Sequence, residues 1–306
     1  MTVDRVVIVT KPTRFEMLLR EHLTEGAAQF ALESRGQSID SYRREEVVYQ
    51  TALSEVRRQI PGDLPTTFVT REDLPSFLFR DNDLIVVCGP DGLFANLAKY
   101  VGDQLILTVN PDPSAVAGVL MLFSPDRVGR VIAQVQQGSH RVERLPFVKA
   151  TIDDDRVVWG INDIFIGRKD HASARYNISF GGRQENHSSS GVIVSTGVGS
   201  TGWISSIVAM VSGLTPKGTR HKLERLPGAT DNQLVFVVRE PFPSPDTGTS
   251  ITIGMVTPGN PLVVSSAMPD GGYIFSDGVI ERAVSWNAGS IVSVTVGDRY
   301  VQRIIP

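Results

Sequence analysis

The segment Asp83-Leu84-Ile85-Val86-Val87-Cys88, followed at once by Gly89-Pro90-Asp91-Gly92, carries most of the information about the fold. Residues 84–88 form a continuous apolar run, which is typical of a strand buried on both faces of a sheet. Glycine and proline then end the strand, and a helical pattern follows from Leu93 to Val101. A buried strand that leads into a helix through such a turn is typical of a parallel α/β sheet.

Strand-like and helix-like segments alternate through the rest of the first part of the chain. Three further strands and two further helices are predicted, and Thr13 is a suitable N-cap for the first of these helices. The strands cover Val6–Thr10, Thr66–Val69 and Gln104–Val109, and the helices cover Phe15–Leu23 and Arg43–Ile60. This alternation predicts an α/β domain with a parallel sheet and helices on both of its faces.

From about Val142 the pattern changes to short strands separated by turn-forming residues such as Gly181-Gly182 and Asn287-Ala288-Gly289. A single helical stretch, Trp203–Gly213, interrupts them. This pattern predicts a β-rich, sandwich-like domain. At roughly 150 residues per domain, the 306 residues agree with two domains, which we expect to cover residues 1–130 and 131–306.

Composition excludes several classes of protein. The 30 Lys and Arg residues against 33 Asp and Glu give a formal net charge of −3, which provides no basic surface for nucleic acid or an anionic membrane. No apolar run is long enough to span a bilayer and no targeting peptide is recognised, so we expect a cytoplasmic protein. Cys88 is the only cysteine, which excludes a disulfide framework and a multi-thiolate metal site, and we expect it to be a small buried residue. The five histidines have no metal-ligand spacing, and His171 and His187 are predicted to lie in loops.

The most conspicuous motif is a G-x-G-x-x-G sequence at Gly197-Val198-Gly199-Ser200-Thr201-Gly202, between a predicted strand and a predicted helix. Glycines let a ligand approach the backbone, and the N–H groups at the start of a helix favour anions. A Rossmann fingerprint is disfavoured, because the motif lies in the β-rich half and no acidic residue ends a strand about 20 residues later. A nucleotide-binding loop of another fold and a purely structural turn are the remaining interpretations.

Two shorter motifs contain polar residues at places where ligands bind. Asp91 follows the carboxyl end of a predicted parallel strand, where an aspartate can meet phosphates and Mg²⁺ or accept a proton from a hydroxyl. An ordinary Pro-Asp-Gly turn is the simpler interpretation of that motif alone. Asn162 and Asp163 lie inside an otherwise apolar predicted strand, Trp159–Gly167, where they need partners. Ribose hydroxyls would provide such partners, and a β-bulge at a sheet edge is an equally good explanation.

Taken in order, these three motifs resemble those of NAD kinases. The family has a G-G-D-G loop after an N-terminal strand, then an Asn-Glu pair, then a segment similar to D-G-x-x-x-S-T-P-T-G-S-T-A-Y. Gly89–Gly92, Asn162-Asp163 and Ser190–Trp203 correspond to them. The mitochondrial type of eukaryotic NAD kinase is the most similar, through Lys11-Pro12-Thr13-Arg14-Phe15-Glu16 and Asn110-x-Asp112-Pro113 among other segments. The resemblance extends over nearly the whole chain.

The resemblance implies a phosphofructokinase-like α/β domain, a β-rich domain, and phosphorylation of the adenosine ribose 2′-hydroxyl of NAD to give NADP. It further implies ATP as the phosphoryl donor, Mg²⁺ or another divalent cation, and a homodimer or homotetramer. Neither nucleic acid nor a membrane is expected as a partner. The resemblance implies that Asp91 is the catalytic residue, that Gly89 and Gly92 border the phosphates, and that Lys11 and Arg14 add positive charge there. Gly197 and Gly199 would form the glycine loop. The residues implied to contact NAD are Asn162, Asp163, Ser190, Thr201, Gly202 and Trp203. For Lys11 and Arg14, a solvated loop is an equal alternative.

Four residues depart from the family pattern. Pro90 replaces the second glycine of the phosphate loop, which removes a backbone donor, and Leu93 replaces a threonine. Asp163 replaces a glutamate and Ser190 replaces an aspartate. Two alternatives therefore stay open: a kinase of the same fold that acts on a sugar or lipid hydroxyl, and a non-catalytic nucleotide-binding regulator. The joint presence of Asp91, Asn162 and the glycine loop favours the kinase of NAD.

Overall fold

The computed structural model describes residues 2–115, 118–216 and 226–306, and its contacts divide the chain into two units. Residues 1–143 and 301–306 form the first unit, and residues 144–300 form the second. The fold class predicted from the sequence is confirmed: the first unit has a parallel sheet with helices, and the second is built from antiparallel strands. No helix within these described ranges is both long and apolar enough to cross a membrane.

The first unit is organised around a parallel sheet with strand order β2-β1-β3-β4. Both faces are covered, since neighbouring residues such as Val6 and Val7 are fully buried although they point to opposite faces. The sheet and its helices consist of β1 (Arg5–Thr10), α1 (Arg14–His22), α2 (Glu25–Glu33), α3 (Asp40–Gln59), β2 (Thr66–Thr70), β3 (Asp83–Cys88), α4 (Asp91–Leu97), β4 (Leu105–Val109) and α5 (Val128–Gln137).

Helix α5 belongs to the first unit, because its apolar face packs into the same core as α3 and one face of the sheet. The expected boundary between residues 130 and 131 lies inside this helix. Helix α1 begins as predicted: the Thr13 side chain accepts the N–H of Glu16, and the Glu16 carboxylate accepts the N–H of Thr13. This reciprocal capping fixes the loop that joins β1 to α1.

Residues 301–306 complete the sheet of the first unit. They form the end of the last strand of the chain, and Gln302 and Arg303 pair in parallel with Leu105 and Ile106 of β4. The buried Arg303 guanidinium forms an ion pair with Glu143 and donates a hydrogen bond to the carbonyl of Leu120 at 3.0 Å. The segment that contains Leu120 is therefore held in place by the end of the chain.

Tyr49 connects two strand ends of this sheet. Its buried hydroxyl donates to the carbonyl of Cys88, the last residue of β3, at 3.0 Å and accepts the N–H of Lys11, just after β1, at 3.4 Å. Burial raises the pKa of the Tyr49 phenol above its ordinary value, so the hydroxyl keeps the proton that it donates. One side chain of α3 thus fixes the carboxyl ends of both central strands.

We expect Tyr49→Phe to lower the free energy of unfolding by about 1–3 kcal/mol, because the Cys88 carbonyl loses a partner inside the core. Denaturant unfolding of the variant and the unmodified protein measures the difference. Tyr42→Phe on the same helix is the matched control, since the Tyr42 ring packs under Arg14 and keeps that contact. Equal stability of the Tyr49 variant and the unmodified protein would contradict this role.

The second unit consists of two antiparallel sheets. One has the strand order β16-β13-β8-β9, with β5 and β6 as a further antiparallel pair, and the other has the order β12-β11-β10-β7-β14-β15. Its elements are β5 (Arg141–Ile152), β6 (Arg156–Gly160), β7 (Asp163–Arg168), β8 (Ala174–Phe180), β9 (Arg183–Ser189), β10 (Val192–Ser195), α6 (Trp203–Leu214), β11 (Leu234–Val238), β12 (Ile253–Val256), β13 (Leu262–Ser266), β14 (Gly272–Ser276), β15 (Val284–Ser285) and β16 (Ile291–Ile305). The chain passes between the two units within β5 and again within β16.

A common apolar core contains alternate residues from both sheets, such as Ile164 and Val264, together with the fully buried Trp286. This arrangement confirms the predicted sandwich-like layer. The opposite face of the second sheet packs against α6 through Phe165, Ile193 and Ile204.

The prediction that His187 lies in a loop was wrong. His187 lies in β9 with 1% of its surface exposed, because alternate residues of this strand point into the core. Its Nε2 atom is 2.8 Å from Oε2 of Glu185, and its ring stacks on Tyr176. Burial alone would raise the pKa of Glu185, but hydrogen bonds from the Ile251 N–H, His187 and the Ser250 N–H outweigh it and lower the pKa to about 2.

This carboxylate makes the stability of the protein depend on acid pH. Because the pKa of Glu185 is lower in the folded chain than its ordinary value of 4.5, its contribution is fully present above that value and is lost as the pH falls toward 2. We expect Glu185→Gln to lower the free energy of unfolding at pH 7 and to flatten its decrease between pH 5 and pH 2. Urea unfolding across this range measures both effects, and the exposed Glu281→Gln is the control. A variant with an unchanged slope would contradict the assignment.

Candidate functional site

A cavity of about 590 Å³ lies in the first unit at the carboxyl ends of three parallel strands. We call it the strand-end cavity. Its lining includes Lys11 and Arg14 after β1, Gly89 and Pro90 after β3, and Asn110 and Asp112 after β4. In an open parallel sheet this edge is where ligands bind. The structure therefore brings together Lys11, Arg14 and Gly89, three of the residues predicted to face phosphates.

The charges of this cavity differ from the sequence-based expectation. The Arg14 Nε atom lies 2.5 Å from the Glu45 carboxylate, and the Arg14 guanidinium lies over the Tyr42 ring. Its charge is therefore balanced within the protein. Lys11 and Arg44 also line the cavity, and neither forms an ion pair in the described part of the chain. Arg44 was missed because no motif contains it: it reaches the cavity only through the packing of α3.

Asp91 begins helix α4, and its carboxylate is engaged with the backbone. It accepts hydrogen bonds from the N–H groups of Val119 and Leu120, both at 3.1 Å. Gly118, which lines the strand-end cavity, is close to the same carboxylate: a Cβ there would lie 3.4 Å from Asp91 Oδ1. Each carboxylate oxygen has a second lone pair, so Asp91 can hold this segment and still accept another proton or ligand.

Leu93 occupies space beside the phosphate loop. A Cβ on Gly89 would lie 2.8 Å from the Leu93 Cδ2 atom, and Leu93 itself is 1% exposed. A side chain at position 89 would therefore require the buried Leu93 to shift. Gly92 has no heavy atom within 4 Å of a Cβ position and is exposed, and the cavity lining does not include it.

Asp112 is a carboxylate in the lining of this cavity. Hydrogen bonds from the Ser114 hydroxyl and the Ala115 N–H hold the pKa of Asp112 below its ordinary value, so it is ionised at neutral pH. In the described ranges there is no group of three or more His, Cys, Asp or Glu side chains that could hold a metal ion by itself. This donor set fits Mg²⁺ only when the ion also binds phosphate oxygens, which is its usual arrangement with nucleotides.

In the second unit, the prediction that Asn162 lies inside a strand was wrong. Ile161 and Asn162 form a bend between β6, which ends at Gly160, and β7, which begins at Asp163. The Asp277 carboxylate stabilises the bend, because it accepts the N–H groups of Ile161, Asn162 and Asp163 at 2.8 to 3.3 Å. Neither of the two polar residues is therefore a ladder position in the middle of a strand.

The glycine loop packs directly against this bend. The Asn162 carbonyl accepts the N–H of Thr196 at 2.9 Å, and a Cβ on Gly199 would lie 2.1 Å from the same carbonyl oxygen. A Cβ on Gly197 would lie 1.8 Å from the carbonyl oxygen of Gly228. Both glycines are thus required by contacts inside the protein, as a structural turn would require them. Thr201 and Gly202, which follow in the same loop, are exposed.

Trp203 and Ser190 lie beside Arg239. The Trp203 ring stacks on Phe165, with centroids 5.6 Å apart, and the Arg239 guanidinium lies 5.2 Å from the centre of the same ring. The N–H of Ser190 donates to the Arg239 carbonyl at 2.9 Å. Ser190 precedes β10, whereas Asp163 pairs with Ser195 at the other end of this strand. Ser190 is therefore not grouped with Asn162 and Asp163.

Comparison with known proteins adds information about the fold. No protein-family model and no curated protein sequence matches the chain. Among solved structures, yeast NADH kinase in complex with NADH aligns with 100% of this chain and 84% of its own, with a TM-score of 0.62 and 13% sequence identity. The chain has the NAD kinase fold. An NAD kinase from Archaeoglobus fulgidus in complex with ATP aligns with 98% of this chain and 92% of its own, with a TM-score of 0.56 and 16% identity.

We expect Gly199→Ala to destabilise this version of the NAD kinase fold by about 1–3 kcal/mol or more, because the added methyl group meets a backbone carbonyl that cannot move independently. Gly213→Ala in α6 is the control, since a Cβ there meets nothing within 4 Å and alanine favours the helix. Thermal and denaturant unfolding compare the two variants. Equal stability of both would mean that the loop yields easily and that its glycines serve a ligand instead.

Proposed function

We propose that the protein is an NAD or NADH kinase, which transfers a phosphoryl group from ATP to the 2′-hydroxyl of the adenosine ribose. The observation that carries the proposal is the strand-end cavity, in which Lys11 and Arg44 provide positive charge and form no ion pair with any residue that the structure describes. A polyphosphate chain is a ligand that would pair with them.

On the donor side, we assign the phosphates of ATP to Lys11, Arg44 and the backbone of Gly89. Charge-assisted hydrogen bonds from ammonium and guanidinium groups are the main interactions that proteins use for phosphates. Arg14 contributes less than expected from the sequence, because Glu45 already balances its charge. Asp112 is the residue that would share Mg²⁺ with the phosphates, and the ion would neutralise negative charge on them during transfer.

On the acceptor side, the proposal assigns the ribose to Asn162 and Asp163, and the adenine with its adjoining segment to Thr201, Gly202 and Trp203. An amide and a carboxylate at a fixed bend suit vicinal hydroxyl groups, because both oxygens of the carboxylate accept hydrogen bonds. Trp203 provides an aromatic ring, on which Phe165 stacks and over which the Arg239 guanidinium lies. Ser190, which lies beside Arg239, also contacts NAD in this proposal.

Asp91 has two roles in the proposed reaction. Its carboxylate holds Val119 and Leu120, and it accepts the proton of the attacking hydroxyl. The hydroxyl oxygen forms a bond to the γ-phosphorus while the bond from that phosphorus to the bridging oxygen breaks, and ADP leaves. Such a transfer depends mainly on positioning and on stabilisation of negative charge, so one carboxylate and a few cations suffice.

Incubation of the purified protein with a phosphoryl donor, Mg²⁺ and NAD tests the proposal. An NADP-specific dehydrogenase measures the product, and parallel reactions replace NAD by NADH and ATP by other nucleotides or inorganic polyphosphate. Formation of NADP or NADPH supports the proposal. The absence of both products with every donor would overturn it. Calorimetry with NADH in the same samples shows whether the protein still binds the dinucleotide.

We expect Asp91→Asn to lower turnover by several orders of magnitude, because an amide cannot accept the hydroxyl proton. Since one of its two backbone hydrogen bonds is also lost, the free energy of unfolding should fall by about 1–3 kcal/mol. Asp63→Asn, at an exposed position of the same unit, is the control and should change neither quantity. A variant that retains most of the turnover would remove Asp91 from the chemistry and leave it only its structural role.

A second candidate function is a nucleotide-binding regulator without catalysis. The two hydrogen bonds of Asp91 favour it, because they explain this aspartate without any reaction. Binding of NADH or ATP by calorimetry, together with no transfer from any donor, would support the regulator. It would also separate this function from a protein that binds neither ligand.

A further inference from the structure

A second cavity of the first unit lies beside the first helix and the third, and it shares only part of its wall with the strand-end cavity. Its volume is about 370 Å³, which falls within the range of ligand pockets, roughly 300–1,000 Å³. We call it the basic cleft. Its charged lining residues are Lys11, Arg20 and Arg57 as cations and Glu16 as the one carboxylate.

The arginines of α1 and α3 form two groups, those with an ion pair and those without. Arg14, Arg43 and Arg58 each form an ion pair with a nearby glutamate. Arg20, Arg44 and Arg57 form none among the described residues, although carboxylates are abundant on the same helices. Each of these three arginines lines a cavity: Arg44 lines the strand-end cavity, and Arg20 and Arg57 line the basic cleft. On these two helices, the arginines without an ion pair among the described residues are the ones that line a cavity.

The carboxylate of Glu16 does not neutralise the basic cleft. Its Oε2 atom accepts the N–H of Thr13 as part of the capping box of α1, and no lysine or arginine lies within ion-pair distance of it in the described part of the chain. Three cations against one carboxylate leave the cleft positive in a chain that is negative overall. Thr10 and Ser54 add hydroxyl groups to the lining. These are the groups that bind phosphate oxygens.

Lys11 and Tyr49 line both cavities, so the basic cleft and the strand-end cavity share part of their walls. We propose that the basic cleft is a second anion site, which binds a phosphate group through Arg20 and Arg57 and competes with the strand-end cavity for Lys11. The proposal relies on the proposed function only for the name of the ligand in the strand-end cavity. The binding itself requires no reaction.

The shared chemistry of the ligand is a phosphate group, and two sources can provide it. One is a free anion of the size of pyrophosphate or a small phosphate monoester, which the volume of the cleft accommodates. The other is the far end of a long inorganic polyphosphate whose near end lies in the strand-end cavity. Arg44 distinguishes the two sources, because only a chain that occupies both cavities depends on Arg44 and Arg57 together.

Arginine modification with phenylglyoxal, followed by peptide mapping, tests the site at the level of single residues. Pyrophosphate is the probe, at concentrations that saturate the heat signal in calorimetry at low salt. We expect pyrophosphate to slow the modification of Arg20 and Arg57 severalfold and to leave the exposed Arg130 of α5 unchanged. Equal modification of Arg20 and Arg57 with and without saturating pyrophosphate would overturn the proposal.

Variants give an independent measurement. Loss of one charge-assisted hydrogen bond, which is worth about 1.5–3 kcal/mol, corresponds to affinity that is at least about tenfold weaker. We therefore expect Arg57→Gln to weaken pyrophosphate binding at the cleft by about tenfold or more. Arg58→Gln is the matched control, because Arg58 is the next residue of the same helix and is paired with Glu55. Equal losses in both variants would show a general charge effect and would overturn the proposal.

The same variants distinguish the two sources of the phosphate group and test whether the two cavities compete for Lys11. If both Arg44→Gln and Arg57→Gln weaken the binding of long polyphosphate to the protein, one polyphosphate chain occupies both cavities. If only Arg57→Gln weakens the binding of pyrophosphate at the cleft, the free anion is the ligand. In the kinase assay, pyrophosphate should raise the apparent KM for ATP, and Arg57→Gln should reduce this effect. A protein without kinase activity that still shows protection of Arg57 would retain the anion site and lose only the proposed function.

Discussion

The hydroxyl of Tyr49 is the contact on which the geometry of the first unit depends. Parallel strands place their carboxyl ends at one edge of the sheet, but the loops that follow can leave that edge in many directions. Tyr49 restricts them, because a single phenol bonds to the end of β3 and to the loop after β1. Lys11, Gly89 and Pro90 are thereby fixed on one cavity wall. Tyr49 also lines the basic cleft, so one side chain contributes to the walls of both cavities.

In the second unit, hydrogen bonds and close contacts of the backbone fix the bend and the glycine loop. Asp277 holds three successive N–H groups of the bend at residues 161–163, and Gly199 lets the glycine loop touch the carbonyl of Asn162. The same residues that look like a ligand loop in the sequence are thus needed for close packing. A binding role and a packing role are compatible here, because the packing contacts of this bend are made by the backbone atoms of residues 161–163.

The sequence was sufficient where local physics decides the structure. The apolar runs of β1 and β3, the Thr13 cap and the turn-rich β half are all local signals, and they predicted the fold class and the segment that contains Asp91. Where the structure differs from the sequence-based prediction, the cause is a contact between residues far apart in the sequence. Arg14 pairs with Glu45 and Arg44 reaches the strand-end cavity only because α3 packs against the sheet. His187 is buried because β9 turns that side chain toward the core, and Asn162 lies in a bend because Asp277, more than a hundred residues later, binds its N–H.

The placement of residues 301–306 beside β4 has a consequence for how the protein is made. Arg303 supports Leu120, whose N–H in turn holds Asp91, so a residue near the end of the chain stabilises the segment next to the phosphate loop. The first unit therefore cannot complete its sheet while the second is still being synthesised. Its early strands must wait, with one edge of β4 open, until a partner from the far end of the sequence arrives, and contacts of such long sequence separation form slowly. An unpaired strand edge during that interval is a place where chains can associate wrongly.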